Sequence, residues 1–195
     1  IWNSHDTRDP KIFWYTSGNH WVMVLNERDG HSIYTSPDLK SWKYESHVTG
    51  FWECPELFEL AVDGNPNNKK WVMYGATGTY MLGSFDGKTF IPESGKYFYT
   101  KGSLYAGQTY TNIPNSDGRR IQIAWGRISH PSMPFNGMML LPTELTLHTT
   151  KEGIRLFSNP IKETKQLFTP LKKWASLTSD KANDHLKEFR NAETL

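Results

Sequence analysis

Trp21-Val22-Met23 decides the fold, because it returns fifty residues later as Trp71-Val72-Met73. Other stretches return at a similar distance: Ser36–Trp42 as Ser84–Phe90, Asp9–Phe13 as Cys54–Phe58, and Trp71–Met73 more weakly within Arg120–Trp125. A period of roughly 40–50 residues built from short strands is typical of a β-propeller, in which each repeat is a four-stranded blade.

The local pattern between these repeats also predicts strands. Short aromatic or β-branched runs occupy residues 11–15, 20–26, 31–35 and 42–46, and turn-forming residues separate them. Asp63–Asn68 is predicted to be a longer exposed loop. No segment before residue 150 keeps a helical period for three turns, so the sequence predicts an all-β region of about three blades.

The tail has a different composition. After Pro160 the chain is rich in Lys, Glu and Leu. We therefore expect one domain over residues 1–160, and in residues 161–195 a linker toward a further domain.

Composition excludes several classes of function. The formal net charge is +2 with no basic run, which gives nucleic-acid binding no electrostatic support. The sequence contains no run of ~18 apolar residues, the length that would predict a membrane-spanning helix. The seven histidines lack ligand spacing, and there is no phosphate-binding glycine loop, so we expect neither metal nor cofactor. Cys54 is the single cysteine, which excludes an internal disulfide.

Two acids stand beside prolines at the starts of repeated strands. Asp9 precedes Pro10, and Glu53 lies two residues before Pro55. A carboxylic acid among apolar neighbours, as in Phe51-Trp52-Glu53, has its charged form disfavoured, as a general acid requires. Because the first strand of a blade is the innermost, both acids are expected at one end of a central channel. Two solvated strand-end acids are the alternative.

Several motifs together resemble glycoside hydrolase family 32, the invertase, levanase and inulinase family. They are Arg8-Asp9-Pro10, Trp52-Glu53-Cys54-Pro55, Tyr105-Ala106 with Gln108-Thr109, Ile123–Gly126 and Leu141–Leu145. The likeness covers residues 8 to 160 and is greatest to bacterial fructan hydrolases. It implies a five-bladed propeller, incomplete in this chain, followed by a β-sandwich.

The resemblance also implies the roles of the acids in cleaving β-fructosides with retention. Glu53 would be the general acid/base, Asp9 would stabilise the transition state, and Arg8 would orient the sugar. The family places its nucleophile in a Trp-Met-Asn-Asp-Pro-Asn motif, which residues 1–8 do not contain. We therefore expect the nucleophile outside this chain and the chain alone to be inactive.

Other residues near these motifs have two interpretations each. In an extended strand the side chains of Trp52 and Cys54 point away from Glu53. They either pack in the core behind the acid, or the thiol tunes the pKa of the acid. By the same alternation, Arg8 reaches the sugar only if the strand start is bent. Trp125 is expected to end the inner strand of the third repeat, where it stacks on a sugar or packs in the core. Tyr105 is expected to be the third counterpart of Asp9 and to offer a hydroxyl to the substrate.

The function expected is therefore hydrolysis of levan, inulin or sucrose-type β-fructosides, outside the cell or in the periplasm. The alternatives are a non-catalytic carbohydrate-binding propeller and a protein-binding one. A propeller that lacks blades leaves an open sheet edge, so self-association or a partner chain is also expected.

Overall fold

The computed structural model describes residues 6–169 and 174–187. The chain divides into two compact units, residues 1–161 and 162–195. The second unit contains a 3₁₀ helix at Lys162–Leu167 and an α-helix, α1, at Ser179–Leu186. The expected linker and β-sandwich fall in this segment, and that assignment stays a prediction.

The first unit is all-β, as predicted, and opens with a four-stranded antiparallel sheet in the order β1-β2-β3-β4. Its strands are β1 (Arg8–Tyr15), β2 (His20–Glu27), β3 (Gly30–Ser36) and β4 (Lys43–Thr49), with a 3₁₀ turn at Thr16–Gly18. The four runs predicted from the sequence are therefore confirmed as strands.

A second antiparallel group of four strands follows with the same order. It comprises β5 (Glu56–Val62), β6 (Asn65–Tyr74), β7 (Thr79–Phe85) and β8 (Phe90–Phe98). The prediction of a loop over Asp63–Asn68 is wrong, because β6 begins at Asn65 and only Asp63-Gly64 turns. The outer end of β6 is exposed and lacks an apolar face, which is why the sequence resembled a loop.

A third group has the order β9-β10-β12-β13. Its strands are β9 (Leu104–Thr109), β10 (Arg120–Gly126), β12 (Thr143–Thr150) and β13 (Gly153–Pro160), and the two-residue β11 (Met138–Met139) pairs with the end of β10. One parallel pairing, Leu147 with Val62, joins this group to the second.

The turn between the third and fourth strands explains one of the sequence repeats. Asp38 Oδ1 accepts the backbone N–H groups of Lys40 and Ser41, at 2.9 and 2.8 Å. Asp86 Oδ1 accepts those of the matching residues two and three positions later, at 2.9 and 2.7 Å. The repeated aspartate is thus the residue that closes each turn.

The core lies between successive sheets. One apolar cluster joins the first two groups through Val22, Ile33, Leu57 and Met73, all at most 3% exposed. A second cluster joins the second and third groups, and its members include Tyr74, Tyr80, Leu145 and Leu147, all at most 1% exposed. Because the second group packs against the first in one cluster and against the third in the other, the starts of β1, β5 and β9 lie close together. The candidate site forms there.

Candidate active site

A left-handed residue marks the start of each first strand. The φ angle is 58° at Asp9, 45° at Cys54 and 52° at Ala106. These residues therefore occupy one equivalent position in the three repeats. The residues that directly precede them are Arg8, Glu53 and Tyr105.

This equivalence agrees with the sequence repeat that matches Asp9–Phe13 with Cys54–Phe58, but it shows that the two acids are not equivalent residues. Asp9 matches Cys54, each standing directly before a proline, whereas Glu53 matches Arg8. Tyr105 is the counterpart of Glu53 rather than of Asp9. The three matched side chains nevertheless meet at one point.

That point is the carboxyl group of Glu53, whose side chain is 19% exposed. Arg8 Nη1 donates a hydrogen bond to Glu53 Oε1 at 3.0 Å, and the Tyr105 hydroxyl donates one to Oε2 at 2.5 Å. Both carboxyl oxygens are thus bound by side chains of the neighbouring groups. The setting of the carboxyl is polar, unlike the apolar one that the flanking aromatics suggested.

The backbone beneath the carboxyl is a tight left-handed turn. Glu53 and Cys54 have φ angles of 48° and 45°, a region that costs an L-residue about 1–2 kcal/mol. Two side chains from the first sheet hold this turn. The Glu53 N–H donates to Asn26 Oδ1 at 2.8 Å, and the Cys54 N–H donates to Asp9 Oδ2 at 3.0 Å.

The far side of the turn is held by backbone groups. The Ala76 N–H donates to the carbonyl oxygens of Trp52 and Glu53, both at 3.0 Å, and the Ala76 carbonyl accepts the Ala106 N–H at 3.1 Å. Gly75 permits this approach, because a Cβ there would lie 2.8 Å from the Trp52 oxygen. The turn is therefore fixed from both sides.

Arg8 reaches the site because the start of β1 is bent. The pairing of β1 with β2 shifts register between Arg8 and Lys11, where Asp9 takes its left-handed conformation. The alternation that made Arg8 awkward as a ligand in an extended strand therefore does not apply. Besides Glu53, its guanidinium pairs with Asp6 Oδ1 at 2.9 Å.

Cys54 faces Asp9 rather than pointing away from the acids. Its Sγ lies 3.7 Å from Asp9 Oδ2. Burial, together with the charges of Asp9 and Glu53, raises the pKa of the Cys54 thiol to about 12. The thiol is therefore protonated at neutral pH and donates toward Asp9.

Tyr105 lies between two other side chains of the third group. The Arg127 guanidinium stands 4.1 Å from the centroid of the Tyr105 ring, and the Trp125 ring meets it edge-on at 6.4 Å. Burial and the hydrogen bond to Glu53 raise the pKa of Tyr105 to about 12, so its hydroxyl stays a donor.

Trp125 and Trp52 differ from their expected positions. Trp125 lies on β10, the second strand, opposite Tyr105, and not on the inner strand. It is 44% exposed. Trp52 is 41% exposed, so its expected role in the core is wrong. Both side chains are therefore partly exposed, and Trp52 adjoins Glu53 in the chain whereas Trp125 contacts Tyr105.

A second carboxyl, that of Glu56, lies buried three residues after Glu53. Lys11 Nζ lies 2.8 Å from Glu56 Oε1, and the N–H and hydroxyl of Thr109 donate to its two oxygens, each at 2.8 Å. Lys11 also donates to the Thr109 carbonyl at 2.7 Å. These contacts join β1, β5 and β9 directly behind the site.

The structure brings Glu53, Asp9 and Arg8 close together. Sequence reasoning missed Asn26, which binds the Glu53 N–H, and Glu56, which joins Lys11 to Thr109. Asn26 and Glu56 belong to no motif that we recognised. The available signal for Asn26 is a polar residue at the end of the apolar run Trp21–Leu25. For Glu56 no local signal in the sequence distinguishes a buried carboxylate that joins strands from a solvated acid at a strand end.

Across residues 6–169 and 174–187, no three His, Cys, Asp or Glu side chains are grouped so as to hold a metal ion. In the same residues no helix is long and apolar enough to cross a membrane.

Comparison with known proteins adds a family. The model described as the glycosyl hydrolases family 32 N-terminal domain matches residues 2–160. The levanase of Bacillus subtilis is 38% identical over 93% of this chain, and the invertase of Wickerhamomyces anomalus is 31% identical over 93%. These matches cover 31% and 39% of the two relatives, so the chain spans about a third of their length.

Solved structures agree. The exo-inulinase of Aspergillus awamori matches 80% of this chain with a TM-score of 0.69 and 28% identity, over 36% of its own chain. A β-fructofuranosidase of Schwanniomyces occidentalis, solved with fructosyl-erythritol, matches 81% with the same TM-score and identity, again over 36% of its own chain.

Proposed function

Because this chain belongs to glycosyl hydrolase family 32, we propose that it forms part of a retaining β-fructosidase in which Glu53 is the general acid/base. The observation that carries the proposal is the convergence of Arg8 and Tyr105 on the Glu53 carboxyl. A carboxyl held by two fixed donors has a defined orientation, which a proton-transfer group needs. In this role Glu53 protonates the leaving oxygen and later activates a water molecule.

Asp9 stabilises the transition state in this proposal. Its Oδ2 is used by the Cys54 N–H and thiol, whereas Oδ1 has no hydrogen-bond partner within residues 6–169 and 174–187. That oxygen is therefore available to a fructosyl hydroxyl. A carboxylate that strengthens its hydrogen bonds as positive charge develops on the ring lowers the barrier.

The nucleophile belongs to another part of the protein. A retaining glycosidase needs a second carboxyl at ~5–5.5 Å from the acid/base. Three described carboxylates close to Glu53 in the chain or through shared contacts have other roles: Asp9 holds the turn and stabilises the transition state, Asp6 pairs with Arg8, and Glu56 pairs with Lys11. We therefore propose that residues outside this chain supply it and complete the five-bladed propeller.

Levan, inulin and sucrose-type β-fructosides are the proposed substrates. Trp125 and Trp52 are 44% and 41% exposed, Trp125 contacts Tyr105, and Trp52 adjoins Glu53 in the chain. Exposed aromatic rings at these places suit stacking on sugar rings. Arg8, whose side chain is 40% exposed, orients the sugar in this proposal. Polymeric substrates imply action outside the cell or in the periplasm.

The test uses the full-length protein and the variants Glu53→Gln and Asp9→Asn. Hydrolysis of sucrose, levan and inulin should fall by about 100- to 10,000-fold for Glu53→Gln and by roughly 100-fold or more for Asp9→Asn. NMR of the first product should show retained configuration. The control is Glu59→Gln, whose exposed carboxylate pairs with Lys69, and it should leave the rates unchanged.

Other results would point to other functions. Levan binding by calorimetry without hydrolysis in the wild type would indicate a carbohydrate-binding propeller. Neither binding nor hydrolysis would favour a protein-binding propeller. Hydrolysis that survives both substitutions would remove Glu53 and Asp9 from the mechanism.

A further inference from the structure

We infer that Asn26 is a positioning residue for the proton transfer by Glu53, an inference that rests on the function proposed above. Asn26 is the penultimate residue of β2 and is fully buried. Its Oδ1 accepts the Glu53 N–H at 2.8 Å, and its Nδ2 donates to the Asp6 carbonyl at 2.9 Å. One side-chain amide therefore spans the two segments that carry the acid/base and its arginine partner.

The amide has only one orientation that satisfies both contacts. A carbonyl oxygen must face the Glu53 N–H, and an NH₂ group must face the Asp6 carbonyl. Reversing the amide would place two donors together at Glu53 and two acceptors together at Asp6. Asn26 is thus a two-ended clamp with a fixed direction.

The contact acts on a part of the backbone that needs support. Glu53 has a φ of 48°, and a strained conformation persists only when its surroundings determine it. Without the Asn26 acceptor, the partly buried Glu53 N–H loses its partner and the turn can relax toward ordinary angles. The carboxyl then shifts relative to the leaving oxygen, although Arg8 and Tyr105 remain.

Such a shift has a distinctive chemical consequence. A leaving group that needs protonation, such as the glucose of sucrose, depends on the position of the acid. A p-nitrophenolate leaving group departs without a proton. Misplacement of the acid therefore reduces kcat/KM for sucrose and has little effect on p-nitrophenyl β-fructofuranoside, whereas general damage to the fold reduces both.

The experiment compares the full-length wild type with Asn26→Ala, Asn26→Ser and Asp63→Ala on these two substrates. Asp63 is a matched control because it also binds a backbone N–H of another strand group, that of Thr149 at 2.9 Å, but at the opposite end of β5. Asn26→Ser keeps a hydroxyl that can be hydrated but is too short for the contact, so it serves if alanine does not fold.

Both Asn26 variants should lose about 10- to 100-fold in kcat/KM for sucrose, with at most a small loss for the nitrophenyl substrate and little change in KM. For Asp63→Ala the ratio of kcat/KM for sucrose to kcat/KM for the nitrophenyl substrate should equal that of the wild type. Equal losses on both substrates, or no loss on either, would overturn the inference. A wild type that hydrolyses neither would instead refute the proposed function.

Discussion

Cys54 and Glu53 are adjacent in sequence, yet their side chains have opposite surroundings. The left-handed turn aims the Glu53 carboxyl at two donors and the Cys54 thiol at an acceptor, Asp9. Burial beside two carboxylates raises the pKa of the thiol to about 12. Cys54 is therefore a donor to Asp9 and a poor nucleophile.

Cys54 should consequently react slowly with iodoacetamide in the folded protein. The thiolate is the reactive form, and at pH 8 a pKa of about 12 leaves roughly 1,000-fold less thiolate than the ordinary cysteine pKa of 9.0. The rate of alkylation, followed by mass spectrometry, measures this. Since Cys54 is the only cysteine, the same protein in urea is the control and should react at an ordinary rate. Similar rates in both conditions would contradict the assigned environment.

At this scale the sequence predicted the chemically conspicuous residues. Glu53, Asp9 and Arg8 stand in short motifs and could be identified directly. Asn26 could not, because its role depends on a contact with a residue 27 positions away. Residues that bind backbone groups of distant segments leave no local pattern.

Among the elements, β3 contributes a buried titratable residue behind the site. His31 is fully buried and its ring stacks on Phe51, with centroids 5.3 Å apart. Burial lowers the pKa of His31 from 6.5 to about 3. The folded state therefore holds His31 neutral down to acidic pH.

His31 should make the fold sensitive to acid. The unfolded chain binds a proton below pH 6.5 and the folded chain does not, so stability present above pH 6.5 is lost as the pH falls toward 3. The loss is at most about 5 kcal/mol. We expect the free energy of unfolding in urea to differ less between pH 7 and pH 4 for His31→Leu than for the wild type. His148, whose side chain is half-exposed, gives the control: His148→Leu should not reduce this difference between the two pH values. A difference as large in His31→Leu as in the wild type would refute the prediction.

The elements themselves followed from the sequence where polar and apolar residues alternate or apolar runs end in turn formers. The exception is the outer half of β6, where Pro66 is the one apolar side chain from Asn65 to Lys70. Pairing with β5 keeps this segment extended. Tertiary pairing, which the local sequence does not report, decides such a strand.

At the scale of the whole molecule, the three strand groups are joined by apolar cores and by a buried polar cluster of Lys11, Glu56 and Thr109, which we call the tie. Glu56 binds Lys11 of the first group and Thr109 of the third, and its side chain is 1% exposed. The repeat in the sequence predicted three similar sheets. It did not predict this junction, because each partner belongs to a different copy.

Breaking the tie should destabilise the protein strongly. Glu56→Ala removes the carboxylate that pairs with Lys11 and accepts the Thr109 N–H, and leaves the largely buried Lys11 charge with only the Thr109 carbonyl. Removing one partner of a buried ion pair costs about 3–5 kcal/mol. Urea unfolding measures the change. Glu59→Ala is the matched control on the same strand, and its exposed pair with Lys69 should be worth less than about 1 kcal/mol. Equal effects of the two substitutions would show that the tie is not structural.

The position before each left-handed residue has a consequence for how such a site can arise. Arg8, Glu53 and Tyr105 are a cation, an acid and a hydroxyl, and each stands directly before the left-handed residue of its strand group. Duplication of an ancestral segment would have supplied the geometry first, with identical side chains already converging. Divergence at a single position per copy could then have differentiated their chemistry, while selection on the shared scaffold continued undisturbed.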